Sequence, residues 1–477
     1  MKKNICWLKE KMKKFYYSLN PTKIEYIIAI VIALIMLFTY AYNDLKSLTI
    51  WTTNMLDVTV DLNIADYFAY TAKNIYNAPH QYVSGTIFNL IPWAIWNLPI
   101  WILQRFFHIP ILTSPFSLIW SKLFLIVCLC FTLYFAYKIV LCLTKNKSKS
   151  KWVVFLCLTF FYTYVGIFYA GQTDIMICLA GTMAIYYLIK GNDKAFLLIS
   201  ALAISIKYFF FFPFIALILL TEKNILKIIK KILICILPIV IFNLICRLAP
   251  MYEISSGANP INYMLDGLIM GFIPILNNNK LSLFILSLLG IYFVAYITTF
   301  KNEEEKNHYI IYMATAPLML LFMFTNYEFY RMILLMPFLL ILLSLKPKFW
   351  KINIILETTM CIASAFTMIS HNIDYFFSST NSMENGLLMS LFGKELTKSI
   401  YVGQIAESIK NISLLNSIFA SVLVGVMLIM LVINFPRFKE KYLDFKDEHF
   451  DRFIIWIRMF IVVPFILYTI IKVLGGK

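Results

Sequence analysis

NDLKSLTIWTTNMLDVTVDLNIADYFAYTAKNIYNAPHQYVSGTIFNLIPWAIWNLPIWILQRFF, residues 43–107, decides how this chain is read. It carries Asp44, Asp57, Asp61 and Asp66 and then turns rich in Trp and Pro, in a chain otherwise built of long apolar runs. Unpaired carboxylates do not sit in hydrocarbon, so a polar stretch between two apolar runs belongs at a membrane surface. The pattern points to chemistry done there.

The surroundings support a membrane setting. Of 477 residues, 61% are hydrophobic and 14% charged, with a mean hydropathy of +0.78, whereas soluble domains carry roughly a quarter charged residues. Apolar runs long enough for a ~30 Å hydrocarbon core recur from residue 24 to residue 473, which leaves one membrane domain, 1–477, and no separate soluble unit. The net charge of +17 comes from Lys and Arg clustered between apolar runs. There they act as topology signals and anionic-lipid contacts, so nucleic acid is set aside as a partner. Nine Cys in no metal-ligand spacing, eight of them in or beside apolar runs, provide neither a disulfide framework nor a zinc site. No nucleotide-binding glycine pattern or nucleophile elbow is present.

Working outward, residues 1–23 hold seven Lys and one acid and read as a cytoplasmic N-terminus. A retained first span over about 24–42 then puts Asn43 onward outside. The external segment is expected over 43–115. Its part 86–107 lies in the outer interface, where Trp93, Trp96 and Trp101 are at home and Pro92 and Pro99 break any straight helix. Further spans are expected at 116–143, 152–169, 174–189, 232–248, 281–299, 309–325, 332–345, 352–370, 414–434 and 453–473. Between them, 195–220 is apolar but interrupted by Lys207 and Pro213, with Lys on both flanks, and reads as a broken helical hairpin. The expected fold is an all-α polytopic bundle of about eleven crossings plus that hairpin, with a further external loop at 371–412.

Few residues stand out against this apolar background. Asp57 and Asp61 are four apart, on one face of a helix, and Asp66 stands four before Tyr70 in DYFAY. A carboxylate beside the membrane can deprotonate an acceptor hydroxyl; the plainer reading is that these acids solvate an interfacial helix. Lys207, inside AISIKYFFFFPF, is too deep to snorkel and suits an anion such as a phosphate, or else a buried acid or helix carbonyl. Arg331 is a second cation for the same anion, with Glu328 three residues away as a local alternative. Gln172 and Asp174 form the polar turn AGQTD, where Asp174 also suits a helix N-cap. Arg247 and His371 read as interface anchors.

A first span, an acidic external segment, an interfacial Pro/aromatic stretch, a GQxD-type turn and an apolar helix ending KxxxxxP together resemble the GT-C superfamily of polyprenyl-phosphate-sugar-dependent glycosyltransferases. The likeness is to its bacterial polytopic members and the related mannosyltransferases. It covers the layout of residues 24–345, and its words are GQTD at 171–174, SIKYFFFFP at 205–213, DYFAY at 66–70 and YEFYRMILLMP at 327–337. The resemblance implies a cell-membrane enzyme with its site on the external face. It would move a sugar from a polyprenyl-phosphate donor to a glycan, lipid or protein acceptor. Asp61 or Asp66 would be the catalytic base with Asp57 behind them, Lys207 and Arg331 would face the donor phosphate, and Gln172, Asp174 and Tyr70 would line the site. Some members of the family use a divalent cation; no other cofactor is implied. The chain departs from the family in having no adjacent acidic pair after the first span, and TIFNLIPW matches its Pro-rich phrase loosely.

Two other functions fit a basic polytopic chain. A lipid-linked oligosaccharide flippase or other transporter would use Lys207 at a midplane site, usually within two related halves that are not visible here. A surface polysaccharide polymerase or ligase would use the loop 371–412, whose Asp374, Glu384, Lys394, Glu395 and Lys398 form no evident pattern.

Overall fold

The first apolar run becomes helix α1 (Lys23–Thr39) behind a reciprocal cap. The Thr22 backbone N–H donates to Glu25 Oε2 (2.7 Å) and the Glu25 N–H to Thr22 Oγ1 (3.3 Å), which satisfies donors that open the helix. Ile24, Ile27, Val31, Leu34 and Phe38 form an exposed stripe at three- and four-residue spacing, while Ala29, Ile32, Ala33, Met36 and Leu37 are buried on the other side. One apolar face of this helix is exposed and the other packs into the bundle. The structure, a computed structural model, describes residues 20–39, 43–61, 64–73, 87–109, 114–249, 272–275, 279–325, 329–377, 413–438, 452–464 and 466–467.

After α1 come α2 (Asn43–Val60), a 3₁₀ turn (Ile64–Asp66), α3 (Tyr67–Lys73), α4 (Ile87–Phe107), α5 (Pro115–Thr144), α6 (Lys147–Leu158), α7 (Phe161–Tyr169), α8 (Asp174–Ile189), α9 (Asp193–Ile206), α10 (Phe211–Thr221) and α11 (Ile225–Arg247). A strand pair, β1 (Phe272–Ile275) and β2 (Asn279–Ser282), leads into α12 (Leu283–Ile297), α13 (Glu303–Phe324), a 3₁₀ segment (Phe329–Leu335), α14 (Met336–Leu345), α15 (Trp350–Phe377), α16 (Ser413–Ile433) and α17 (Arg452–Phe460).

The described residues are almost entirely helical, as expected. Among the described residues, three helices are long and apolar enough to cross a membrane: α5, α11 and α13. There are up to five if each of two bent pairs is one span, α6 with α7 at 51° and Tyr330–Leu345 with Pro347–Thr367 at 110°. The expectation of a helical membrane-type chain is thus met, and of the about eleven crossings expected, three to five candidate spans stand among the described residues. Within it, α13 lies at the centre, with 83% of its apolar window buried, whereas α11 has 11% and turns Leu233, Leu237, Ile241 and Leu244 outward.

Several expectations are corrected. One short hairpin accompanies the helices: β1 and β2 pair antiparallel, Phe272 opposite Ser282. Where a break was expected at Pro92 and Pro99, α4 continues through both. A helix tolerates such prolines where its neighbours hold it. Here Trp96 and Trp120 of α5 stack at 5.1 Å and each donates its indole N–H to the other's carbonyl (2.8 and 2.9 Å). A polar seam adds to the grip: Thr49 Oγ1 lies 2.9 Å from Ser121 Oγ, Ser121 donates to Asn97 Oδ1, and Asn97 Nδ2 donates to Thr52 Oγ1 (2.9 Å). The run 195–220 breaks at Lys207, whose φ of −155° and ψ of 144° are extended. Pro213 lacks the N–H that would bond the Phe209 carbonyl, so the chain restarts as a 3₁₀ turn, Tyr208–Phe210, before α10.

Candidate functional site

The site grows from the end of α7. Its last turn is π-helical, Tyr164–Tyr169, with the Ala170 N–H bonded to the Val165 carbonyl (2.8 Å). Gly171 then turns the chain with φ +62°. That conformation strains any residue with a Cβ, and a Cβ here would also stand 3.2 Å from Leu45 Cδ1 of α2. The close approach brings Asp44, at the start of α2, beside Gln172: Gln172 Nε2 donates to Asp44 Oδ2 at 2.7 Å. Lys122 of α5, fully buried, clamps the arrangement from behind by donating to the Phe168 carbonyl (2.6 Å) and the Leu37 carbonyl (3.3 Å). It thereby ties the end of α7 to the end of α1.

Asp174 opens α8, where its negative charge is favoured by the helix dipole. Its Oδ1 accepts from Lys207 Nζ at 2.9 Å across the helix break; Asp174 is fully buried and Lys207 17% exposed. The guanidinium of Arg331 lies 5.7 Å from the ring of Phe209, two residues beyond Lys207. Asp44 and Arg331 are both close enough for their charges to act on Lys207. Two carboxylates and two cations thus converge from α2, α8, the α9–α10 break and the 3₁₀ segment before α14. Asn89 of α4 borders them, its Nδ2 donating to Thr173 Oγ1 (3.2 Å).

The other acids named from the sequence lie elsewhere. Asp57 is thirteen residues along α2 from Asp44, about 20 Å at ~1.5 Å per residue. It is held by three donors: Trp101 Nε1 (2.8 Å) and Arg105 Nη1 (2.8 Å) on Oδ1, and the Tyr70 hydroxyl (3.2 Å) on Oδ2. Arg105 Nη2 reaches Asp61 Oδ1 at 2.8 Å, which accounts for two acids sharing one helix face. Bonds to these two carboxylates hold the Arg105 guanidinium above its ordinary value, while burial and then the Asp57 charge push the Tyr70 phenol up. Tyr70 stays a neutral donor to Asp57. Asp66 sits exposed on the 3₁₀ turn.

So the structure brings together Gln172, Asp174, Lys207 and Arg331, and it does not bring Asp57, Asp61 or Tyr70 to them. Asp44 is the residue the sequence reading passed over, although it is the first acid after the first apolar run. Asp174 is the first residue of α8 rather than its cap, which is Thr173. Arg247 ends α11. Glu328, Glu384, Lys394, Glu395 and Lys398, and the side chains of His371 and Asp374, lie outside the described residues. No three His, Cys, Asp or Glu side chains converge among the described residues, so the divalent cation that the resemblance allows has no assembled ligand set there.

Compared with known proteins, the chain matches no family model, no curated protein and no solved structure.

Proposed function

We propose that this chain is a membrane glycosyltransferase that moves a sugar from a polyprenyl-phosphate donor to a hydroxyl acceptor on the outer face of the cell membrane. The observation that carries the reading is the Lys207–Asp174 pair at a helix break, with the Arg331 guanidinium over Phe209 beside it and Asp44, the acid that follows the first apolar helix, bonded to Gln172 two residues before Asp174. Transfer from a lipid phosphate needs cations where negative charge gathers on the leaving group and a base where the acceptor loses its proton. In this proposal Asp44, oriented by Gln172, takes the acceptor proton. The acceptor oxygen attacks the anomeric carbon, the bond from that carbon to the phosphate oxygen breaks, and the electron pair leaves with the phosphate, which Lys207 and Arg331 stabilise. Asp174 holds Lys207 in place and balances its charge before the donor arrives. The full layout of about eleven crossings, a cytoplasmic N-terminus and an outward-facing site belongs to the same proposal.

One observation favours a second reading. The four charges cancel and one ion pair is buried at a helix break, an arrangement that also serves a transporter passing an anion.

The deciding experiment deletes the gene and restores it as wild type, Asp44→Asn, Asp57→Asn or Arg331→Met, with the membrane level of each variant checked. Envelope sugars and polyprenyl-linked intermediates are read by mass spectrometry. The proposal expects one sugar to vanish on deletion, its polyprenyl-phosphate form to accumulate, and Asp44→Asn to fail while Asp57→Asn restores. Completed oligosaccharides accumulating on lipid, with Asp44→Asn restoring the wild-type profile, would overturn it in favour of a transporter or polymerase.

A further inference from the structure

Two buried polar atoms beside the charged cluster have no hydrogen-bond partner: Asp174 Oδ2 and Asn89 Oδ1. Asp174 is fully buried and Asn89 is 1% exposed. The two residues adjoin, because Asn89 bonds Thr173 and Thr173 precedes Asp174. An unfilled buried acceptor is a standing penalty on the fold unless something fills the position. Lys207 occupies the other oxygen of Asp174 and leaves this one open.

We propose that Asn89 and Asp174 read the hydroxyls of the transferred sugar and select neutral sugars over those carrying a carboxylate. This rests on the transferase reading and names its substrate class. A hydroxyl suits the Asn89 amide in either orientation, since it both donates and accepts, while Asp174 Oδ2 accepts only. A uronic acid would set a second carboxylate against Asp174, and a deoxy sugar would leave one of these atoms unfilled. A site that hydrogen-bonds a substrate hydroxyl rejects the analogue lacking it far more strongly than an apolar pocket rejects a missing methylene.

The test uses the full-length protein in lipid nanodiscs, with polyprenyl-phosphate hexose, its monodeoxy analogues and the matching uronic acid as donors. Wild type is expected to favour the hexose at least tenfold in kcat/KM over one of the deoxy donors and over the uronic acid. Asn89→Leu is expected to bring the hexose-to-deoxy ratio close to one. Thr173→Val, which removes the tether of Asn89 without removing the amide, is expected to lower thermal stability while keeping the ratio. If Asn89→Leu keeps the wild-type ratio, or if the uronic acid is transferred as fast as the hexose, the selectivity proposal is overturned and the transferase reading stands. Turnover of none of the donors overturns the transferase reading and this inference with it.

Discussion

At the scale of single residues, the two acids of α2, Asp44 and Asp57, sit in different surroundings. Asp57 accepts from three donors, whereas Asp44 accepts from Gln172 in the turn that leads to Asp174. Asp44→Asn is therefore expected to fold normally and to lose ~10²–10⁴-fold in transfer, the usual worth of a positioned base, measured as turnover of polyprenyl-phosphate hexose per molecule. Asp57→Ala is expected to keep most of the activity of the protein that folds, but to lower stability by roughly 1.5–3 kcal/mol, the worth of a hydrogen bond to a charged group, read by thermal unfolding in detergent. Lys207, Gln172 and Asp174 were legible in the sequence because a charge or amide in an apolar run is rare and costly. Asp44 was not, because four acids follow the first span and nothing local separates them. The choice is made by Gly171 packing on Leu45, a contact between residues far apart in the chain.

At the scale of elements, the site depends on where helices stop. The break at Lys207 was legible, since a lysine followed six residues later by proline cannot continue an apolar helix cheaply. The continuity of α4 was not, because its prolines are tolerated through a Trp96–Trp120 exchange with α5 that no short window reveals. Gly181 of α8 holds the break against its neighbours. A Cβ there would stand 2.8 Å from Phe210, in the turn after Lys207, and 2.8 Å from Phe338 of α14. Gly181→Ala is expected to cost ~1–3 kcal/mol by overpacking and to shift the turn that carries Lys207. Its signature is a KM for the lipid donor several-fold above wild type in protein that is folded by circular dichroism. An unchanged KM together with unchanged thermal stability would mean that the rings yield freely and the turn is not held from this side.

At the scale of the whole molecule, distant parts of the chain are joined by charges that the sequence shows and does not pair. At the edge of the bundle, Arg437 beyond α16 meets Glu305 in the first turn of α13 (2.8 Å). The Arg437 hydrogen bond, then the Lys301 N–H, holds the Glu305 carboxyl below its ordinary value of 4.5. A depressed acid stabilises the fold above its unfolded value and loses that contribution as pH falls through the folded one. Thermal stability is thus expected to decline slightly below pH about 4.5 in wild type, and less so in Glu305→Gln. Deeper inside, Arg458 of α17 and Glu357 of α15 pair with no exposure at all. Arg458 also donates to Thr159 Oγ1 (2.6 Å) and to the Leu156 carbonyl (2.8 Å) at the bend between α6 and α7. One guanidinium thereby fastens α17 to the bent pair that leads into the Gly171 turn. Desolvating two ions offsets most of their attraction, so the pair adds little net stability, but removing one partner strands the other in apolar surroundings. Glu357→Gln is expected to cost roughly 3–5 kcal/mol, enough to remove most folded protein from the membrane, whereas Glu357→Leu combined with Arg458→Leu recovers a large part of it. The check is a pair of thermal unfolding curves on detergent-solubilised protein, with size-exclusion profiles of both variants. A double variant no better than the single would mean that the Arg458 bonds to Thr159 and Leu156, rather than the charge pair, hold α17 in place.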